Sequence, residues 1–155
     1  MEKKRSIGVT IVAILLVLYS IWILPRLFHI LLTGEFRIPD AVFHLSPTTY
    51  FLRYTVDVVF LFLILIGAIG VFLLKSWARK LTLYTASLFA LSHLAWGIYS
   101  SLLFPVFVKQ KNPGSGLPDS FFALSLFIFG VMPIVCFFAF VVYFFTRPKV
   151  KEQFR

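Results

Sequence analysis

The sequence predicts an all-α, polytopic membrane protein, an antiparallel bundle of four transmembrane helices with both termini in the cytoplasm. The main observation is four long apolar stretches within the 155 residues, at about 7–32, 54–74, 81–107 and 121–145. A bilayer core is about 30 Å thick, so about 20 apolar residues cross it as a helix. Hydrophobic residues make up 60% of the chain and its mean hydropathy is +0.95. A soluble chain of this length has no interior in which to hide four such helices.

The distribution of positive charge predicts the orientation. The net charge is +9, and ten of the 15 Lys and Arg residues flank the apolar stretches on one side: Lys3, Lys4, Arg5, Lys75, Arg79, Lys80, Arg147, Lys149, Lys151 and Arg155. Positive residues in short loops stay in the cytoplasm, so this side should be the inner one. The basic excess therefore indicates topology and contact with anionic headgroups, and no nucleic acid partner is expected.

We expect one membrane domain over residues 1–155, with an inner loop at 75–80 and outer loops at 33–53 and 108–120. The six-residue inner loop requires its two helices to be antiparallel neighbours. Within the first outer loop, Ser46 followed by Pro47 is typical of a helix start, so the second helix should begin outside the membrane. The basic N-terminus also resembles a signal peptide, but its apolar run is long and no small-residue cleavage site follows. We expect an uncleaved first span.

The most unusual position is Asp57, about one turn inside the second apolar stretch. A carboxylate is costly in lipid, and Arg53 lies four residues earlier on the same helical face. One interpretation is an interfacial Arg53–Asp57 ion pair, which Arg26 of the first span could extend. The other is a carboxylate that binds a proton or a cation.

The third span carries small and polar residues at steps of three and four, which place them on one helical face: Thr82, Ala86, Ala90, His93, Gly97 and Ser101. Small residues let helices approach closely, so Ala86, Ala90, Gly97 and Ser101 form a candidate packing face. We expect His93 near mid-membrane, either as a neutral imidazole bonded to a neighbouring span or as a proton relay or ligand contact. Gly67, Gly70, Gly130 and Pro133 indicate further close packing or kinks.

No residue pattern predicts catalysis, a cofactor or a metal site. The single cysteine, Cys136, cannot form an internal disulfide, which excludes thiol oxidoreductases that need cysteine pairs, and we expect it to be a buried small hydrophobe. His29 and His44 flank Glu35 and Asp40 near the outer side, but their spacing matches no zinc pattern.

Two short segments resemble a known group of proteins. The inner turn contains Trp-Ala-Arg, and the chain ends in Thr146-Arg147-Pro148-Lys149-Val150-Lys151-Glu152-Gln153-Phe154. Both resemble uncharacterised, small four-span inner-membrane proteins of bacteria with a Trp-Ala-Arg inner turn and a TRPxVKxxF ending. The resemblance implies a multi-pass protein of the bacterial inner membrane, and it implies no activity. Both segments also have a local explanation, because interfacial Trp and Arg anchor a turn and Arg-Pro ends a helix.

These observations favour a non-enzymatic accessory or interaction protein that acts through its helix faces and its basic cytoplasmic edge. The expected partners are the bilayer, a second copy or another membrane protein, with candidate anionic-headgroup contacts at Lys75, Trp77, Arg79, Lys80 and Arg147. The alternative is a small oligomeric transporter or channel that uses Asp57 and His93. A lipid-modifying enzyme ranks third, since only the region of His29 and His44 offers ligands or acid–base groups at an interface.

Overall fold

The described part of the chain is helical almost throughout. A computed structural model describes residues 6–33, 47–111, 124–125 and 127–154, and these contain no strand. The elements are α1 (Ile7–Thr33), α2 (Pro47–Phe72), α3 (Ser76–Lys111), a π-helical turn (Phe127–Val131), α4 (Met132–Thr146) and α5 (Pro148–Glu152). The predicted all-α class is confirmed.

Within the described residues, four helical segments are long and apolar enough to cross a membrane: Ile7–Thr33, Phe51–Phe72, Ser76–Ser101 and Phe127–Thr146. They are called the four spans below. Each corresponds to one of the apolar stretches of the sequence. The fourth span joins the π-helical turn to α4, while Pro148 begins the separate short helix α5.

A tight turn that ends α2 connects it to α3. Leu74 has a φ of 54°, and Lys75 N–H donates to the Gly70 carbonyl at 2.9 Å, which is the Schellman arrangement that ends helices. α3 begins at Ser76, so residues 76–80 of the predicted inner loop are helical. Hydropathy predicts which residues lie in the apolar part of a membrane. A helix can extend beyond those residues wherever its backbone hydrogen bonds are satisfied.

Parts of the two predicted outer loops are helical as well. α2 begins at Pro47, as the Ser-Pro signal predicts, and α3 extends to Lys111. Residues 47–53 and 108–111 are therefore helical. The rest of the two predicted outer loops lies outside the described residues.

Small residues set the distance between α2 and α3. A Cβ at Gly67 would lie 2.5 Å from Thr82 Oγ1, and one at Gly70 would lie 2.5 Å from Ala78 Cβ. Ala78 and Thr82 are fully buried. Later residues of α2 thus face earlier residues of α3, at a separation that only glycine permits.

An aromatic cluster joins α1, α3 and α4. Phe89 packs edge-to-face on Phe138 with ring centroids 4.9 Å apart, and Tyr19 packs edge-to-face on Phe138 at 5.5 Å. Such pairs contribute about 0.5–1.5 kcal/mol beyond the burial of area. The three helices therefore share one core rather than packing only on their chain neighbours.

The two ends of the described chain meet. Ser6 N–H donates to Gln153 Oε1 at 3.1 Å, and Phe154 is buried with its ring 6.3 Å from that of Phe145. A Cβ at Gly8 would lie 3.1 Å from the Phe144 ring. Helix α5 thus folds the chain back onto the start of α1.

Two details of the fourth span differ from expectation. Cys136 is exposed, so its assignment as a buried residue is wrong. A Cβ added at Gly130 would meet no atom of the described residues within 4 Å, so the expected close packing is not found there. Gly130 lies instead in the π-helical turn before Pro133, because proline cannot donate the helical bond to the carbonyl four residues earlier and the local helix widens.

Candidate functional site

The candidate site is a polar cluster between α2 and α3, within two of the apolar spans. It is built on the ion pair that the spacing of Arg53 and Asp57 predicts: Arg53 Nη2 lies 3.2 Å from Asp57 Oδ1. The two side chains are only 13% and 11% exposed. The pair is therefore largely enclosed by protein, unlike an exposed interfacial pair.

His93 of α3 completes the cluster through Arg53 and not through Asp57. Arg53 Nη2 lies 3.0 Å from His93 Nδ1. A guanidinium only donates hydrogen bonds, so Nδ1 must accept and a neutral imidazole carries its proton on Nε2. The Phe89 carbonyl lies 3.1 Å from the same nitrogen, and it receives no proton from Nδ1 in this tautomer.

Two aromatic residues of α3 hold these polar groups in place. The Arg53 guanidinium carbon lies 5.7 Å from the centre of the Trp96 ring, a cation–π distance. The rings of Phe89 and His93 are 4.2 Å apart between centroids. Arg53 is therefore contacted by a carboxylate, an imidazole and an indole at once.

The carboxylate of Asp57 has fewer hydrogen-bond partners than the guanidinium of Arg53. Asp57 Oδ1 is buried and, despite its distance from Arg53, has no hydrogen bond of acceptable geometry with a described residue. The buried Ser20 hydroxyl of α1 likewise has no partner among the described residues. Asp57 also acts electrostatically on the phenols of Tyr19 and Tyr54. The site can thus accept a further hydrogen bond at Asp57.

The residues of the predicted packing face lie inside the protein to different degrees. Ala86 is fully buried, Gly97 is buried, and Ala90 and Ser101 are half-buried. A Cβ at Gly97 would lie 2.8 Å from Val131 and 3.0 Å from Phe127. This face of α3 therefore contacts the π-helical turn of the fourth span.

The basic residues predicted to contact headgroups do not form one uniform surface. Lys75, Trp77 and Lys80 are exposed and Arg79 is half-buried. Arg147 is exposed, donates to the Tyr143 hydroxyl at 2.9 Å and stacks on that ring at 4.7 Å. Nη1 of Arg79 is buried without a hydrogen-bond partner among the described residues.

Sequence reasoning missed Trp96 and Tyr19. Trp96 lies three residues after His93 on the same helical face, so this spacing could have predicted that Trp96 belongs to the site. Tyr19 lies on another helix, and nothing in its own sequence neighbourhood relates it to Asp57. Arg26, the predicted extension of the ion pair, is exposed and makes no ion pair with a described residue.

The outer histidines are only partly described. His29 is exposed on α1, whereas His44, Glu35 and Asp40 lie outside the described residues. Among the described residues, no three His, Cys, Asp or Glu side chains group together as metal ligands would.

No protein-family model matches this chain, and neither a curated protein nor a solved structure matches it. The resemblance to four-span bacterial proteins therefore stays a prediction. The functional conclusion depends on the residues themselves.

Proposed function

We propose that this chain is a multi-pass protein of the bacterial inner membrane that serves as a non-enzymatic accessory or interaction protein. In this proposal it forms an antiparallel four-helix bundle with cytoplasmic termini. Contacts support the antiparallel arrangement: Gly70 faces Ala78 across α2 and α3, and Gly97 faces Val131 across α3 and the fourth span. The hydrogen bond between Ser6 and Gln153 supports termini on one side of the membrane, since an even number of crossings returns the chain to the side on which it began.

The orientation follows from charge. The positively charged side of the sequence contains both termini and the turn between α2 and α3. Lys75 and Lys80 at that turn are exposed, as are Lys149 and Lys151 in α5. Such an edge suits the anionic headgroups of the cytoplasmic leaflet or an acidic segment of a partner.

The observation that carries the proposal is the internal compensation of Arg53. Its guanidinium is bonded to His93 at 3.0 Å and paired with Asp57 at 3.2 Å. With a neutral imidazole the cluster has no net charge, which is how a membrane bundle lowers the cost of ionised groups. A polar cluster of this kind fixes how α2 and α3 pack, and it requires no transported ion.

A substitution at His93 tests this role against proton relay. His93→Gln keeps an acceptor for Arg53 but cannot carry a proton, whereas His93→Leu removes the acceptor. We expect the stability of the detergent-solubilised protein to survive His93→Gln and to fall by about 1.5–3 kcal/mol in His93→Leu, the range for hydrogen bonds to charged groups. Equal stability of the two variants would contradict the structural role of His93.

A site-specific cross-link tests the interaction role directly. A photoreactive residue placed at the exposed Lys80 should give a discrete protein adduct in native membranes. The same residue at the fully buried Ala86 is the matched control and should give none. The Lys80 adduct should disappear when Lys75 is replaced by Glu. If Lys80 and other exposed positions give no protein adduct, the accessory function is wrong.

A second candidate function is a small oligomeric transporter or channel that uses Asp57 and His93. The observation that favours it is the buried Asp57 Oδ1, which lacks a well-formed hydrogen bond with a described residue. Proton or cation flux in proteoliposomes separates the two functions, with Asp57→Asn as the comparison. Flux in the unmodified protein that Asp57→Asn and His93→Gln both abolish would establish transport. We expect no flux, and a loss of stability in Asp57→Asn because a buried pair is broken.

A further inference from the structure

An apolar groove lies between the first and fourth spans, away from the polar cluster. It has a volume of about 370 Å³ and opens to the outside of the protein. Its walls include Leu15, Leu18, Tyr19 and Trp22 on α1 and Pro133 and Phe137 on α4. These α1 residues lie roughly 12–22 Å along the helix from Ile7, which places the groove inside the apolar layer.

The face of α1 that lines the groove continues to a cationic residue, Arg26. Arg26 follows Trp22 by four residues and Tyr19 by seven, so it lies on the same helical face. It is exposed and forms no ion pair with a described residue. Arg26 lies about 28 Å along the helix from Ile7, near the far boundary of a bilayer core. His29 extends the same face by three residues and is also exposed.

We propose that this groove and Arg26 together bind one acidic phospholipid from the leaflet opposite the chain termini. An acyl chain lies along the groove and the phosphate is bound by Arg26, with His29 as an additional donor. The inference rests on the four-span arrangement of the proposed function. A phosphate at the membrane boundary and a hydrocarbon chain below it match the order of charge and apolar surface along α1.

Charge argues against the other occupants. A symmetric second copy on this face would repeat each contact and bring two Arg26 side chains towards one another. A helix from another protein would need its own carboxylate at the membrane boundary to compensate Arg26, whereas a phospholipid carries a phosphate at that depth in every molecule. A zwitterionic lipid offers the same chain but a weaker net attraction to a cation.

Trp22 makes the groove measurable, because it lines the groove and is 80% exposed. With Trp77→Phe and Trp96→Phe, Trp22 is the only tryptophan, and bromine atoms on a lipid chain quench its fluorescence on contact. The protein is reconstituted in vesicles of equal parts phosphatidylglycerol and phosphatidylcholine. Bromine is carried by one lipid or by the other, and the two quenching levels are compared.

We expect brominated phosphatidylglycerol to quench Trp22 more strongly, with a preference of about fivefold for one basic contact. Arg26→Gln should reduce the preference to one, and Arg26→Lys should keep most of it. Leu18→Phe, which fills the groove but leaves the charge, should also reduce it. Leu88→Phe is the matched control, since Leu88 is exposed on α3 and does not line the groove.

Other outcomes overturn the proposal in distinguishable ways. Equal quenching by the two lipids, or a preference that survives Arg26→Gln, means that no acidic lipid site exists although α1 is in lipid. Quenching by neither lipid means that protein, such as a second copy, covers the face. Efficient quenching of Trp22 by aqueous iodide would instead place this face in water and would refute the four-span arrangement as well.

Discussion

Replacing Gly70 by alanine is a sharp test of how α2 and α3 pack. The new Cβ would lie 2.5 Å from Ala78 Cβ and 3.1 Å from the Trp77 ring. Two non-bonded carbon atoms at 2.5 Å are well inside van der Waals contact. The Ala78 methyl carbon cannot rotate away, because it is attached directly to the backbone. The helices must therefore separate or shift.

The magnitude follows from two opposing effects. Alanine favours a helix interior over glycine by about 0.5–1 kcal/mol. Overpacking a well-packed contact costs about 1–3 kcal/mol. The net change for Gly70→Ala should be a destabilisation of about 1–2 kcal/mol. Gly130→Ala is the matched control, since no atom of the described residues lies within 4 Å of the added Cβ, and it should be neutral or slightly stabilising.

The assay is unfolding of the purified protein from mild detergent by a denaturing detergent, followed by loss of helical circular dichroism. A double variant sharpens it: Ala78→Gly should destabilise the protein alone, yet it should relieve the clash in Gly70→Ala. The coupling between the two substitutions should be favourable. If Gly70→Ala and Gly130→Ala are equally tolerated, or if the double variant is merely additive, the close approach at Gly70 is wrong.

Three further predictions concern the turn, the packing face and the orientation. Leu74→Gly should change the stability by less than about 1 kcal/mol in the same assay, because relief of the left-handed φ of 54° offsets the loss of a side chain that packs, partly buried, against the core; a loss of more than about 2 kcal/mol would contradict this. Gly97→Leu should destabilise the protein because the new side chain would clash with Val131. Ala95→Leu, at an exposed position, should leave the stability nearly unchanged. Equal melting curves for the two variants would exclude a close contact at Gly97. A reporter fused after Arg155 should be cytoplasmic and one inserted within residues 112–116 should be external; reversed results would overturn the orientation.

Local sequence determined part of the candidate site. Arg53 and Asp57 are four residues apart, and any α-helix brings such a pair within reach. The spacing of Ala86 and Gly97 likewise put them on one face of α3. The start of α3 was less predictable, because the residues after Lys75 are polar enough to resemble a loop and yet form its first turn.

The contacts of Arg53 with His93 and Trp96 depend on the tertiary structure. They join residues some forty positions apart, so they require a particular rotation and register of α2 against α3. That register is set where Gly67 and Gly70 leave room for Thr82 and Ala78. It depends on the steric fit between the surfaces of two helices, so the sequence of one helix alone does not determine it. The groove at Trp22 also depends on how two helices pack, since it exists only where α1 and α4 are not in close contact.

The sequence by itself determined that the chain is helical and that, among the described residues, four helices are long and apolar enough to cross a membrane. Lipid offers no hydrogen bonds to a backbone, so a long apolar stretch must bond internally as a helix, and its length fixes whether it crosses. Only the tertiary structure decided which polar groups meet. Lipid is as apolar as the side chains of the spans, so hydrophobicity alone does not select the face that a helix turns inward, and close packing and polar contacts make that choice.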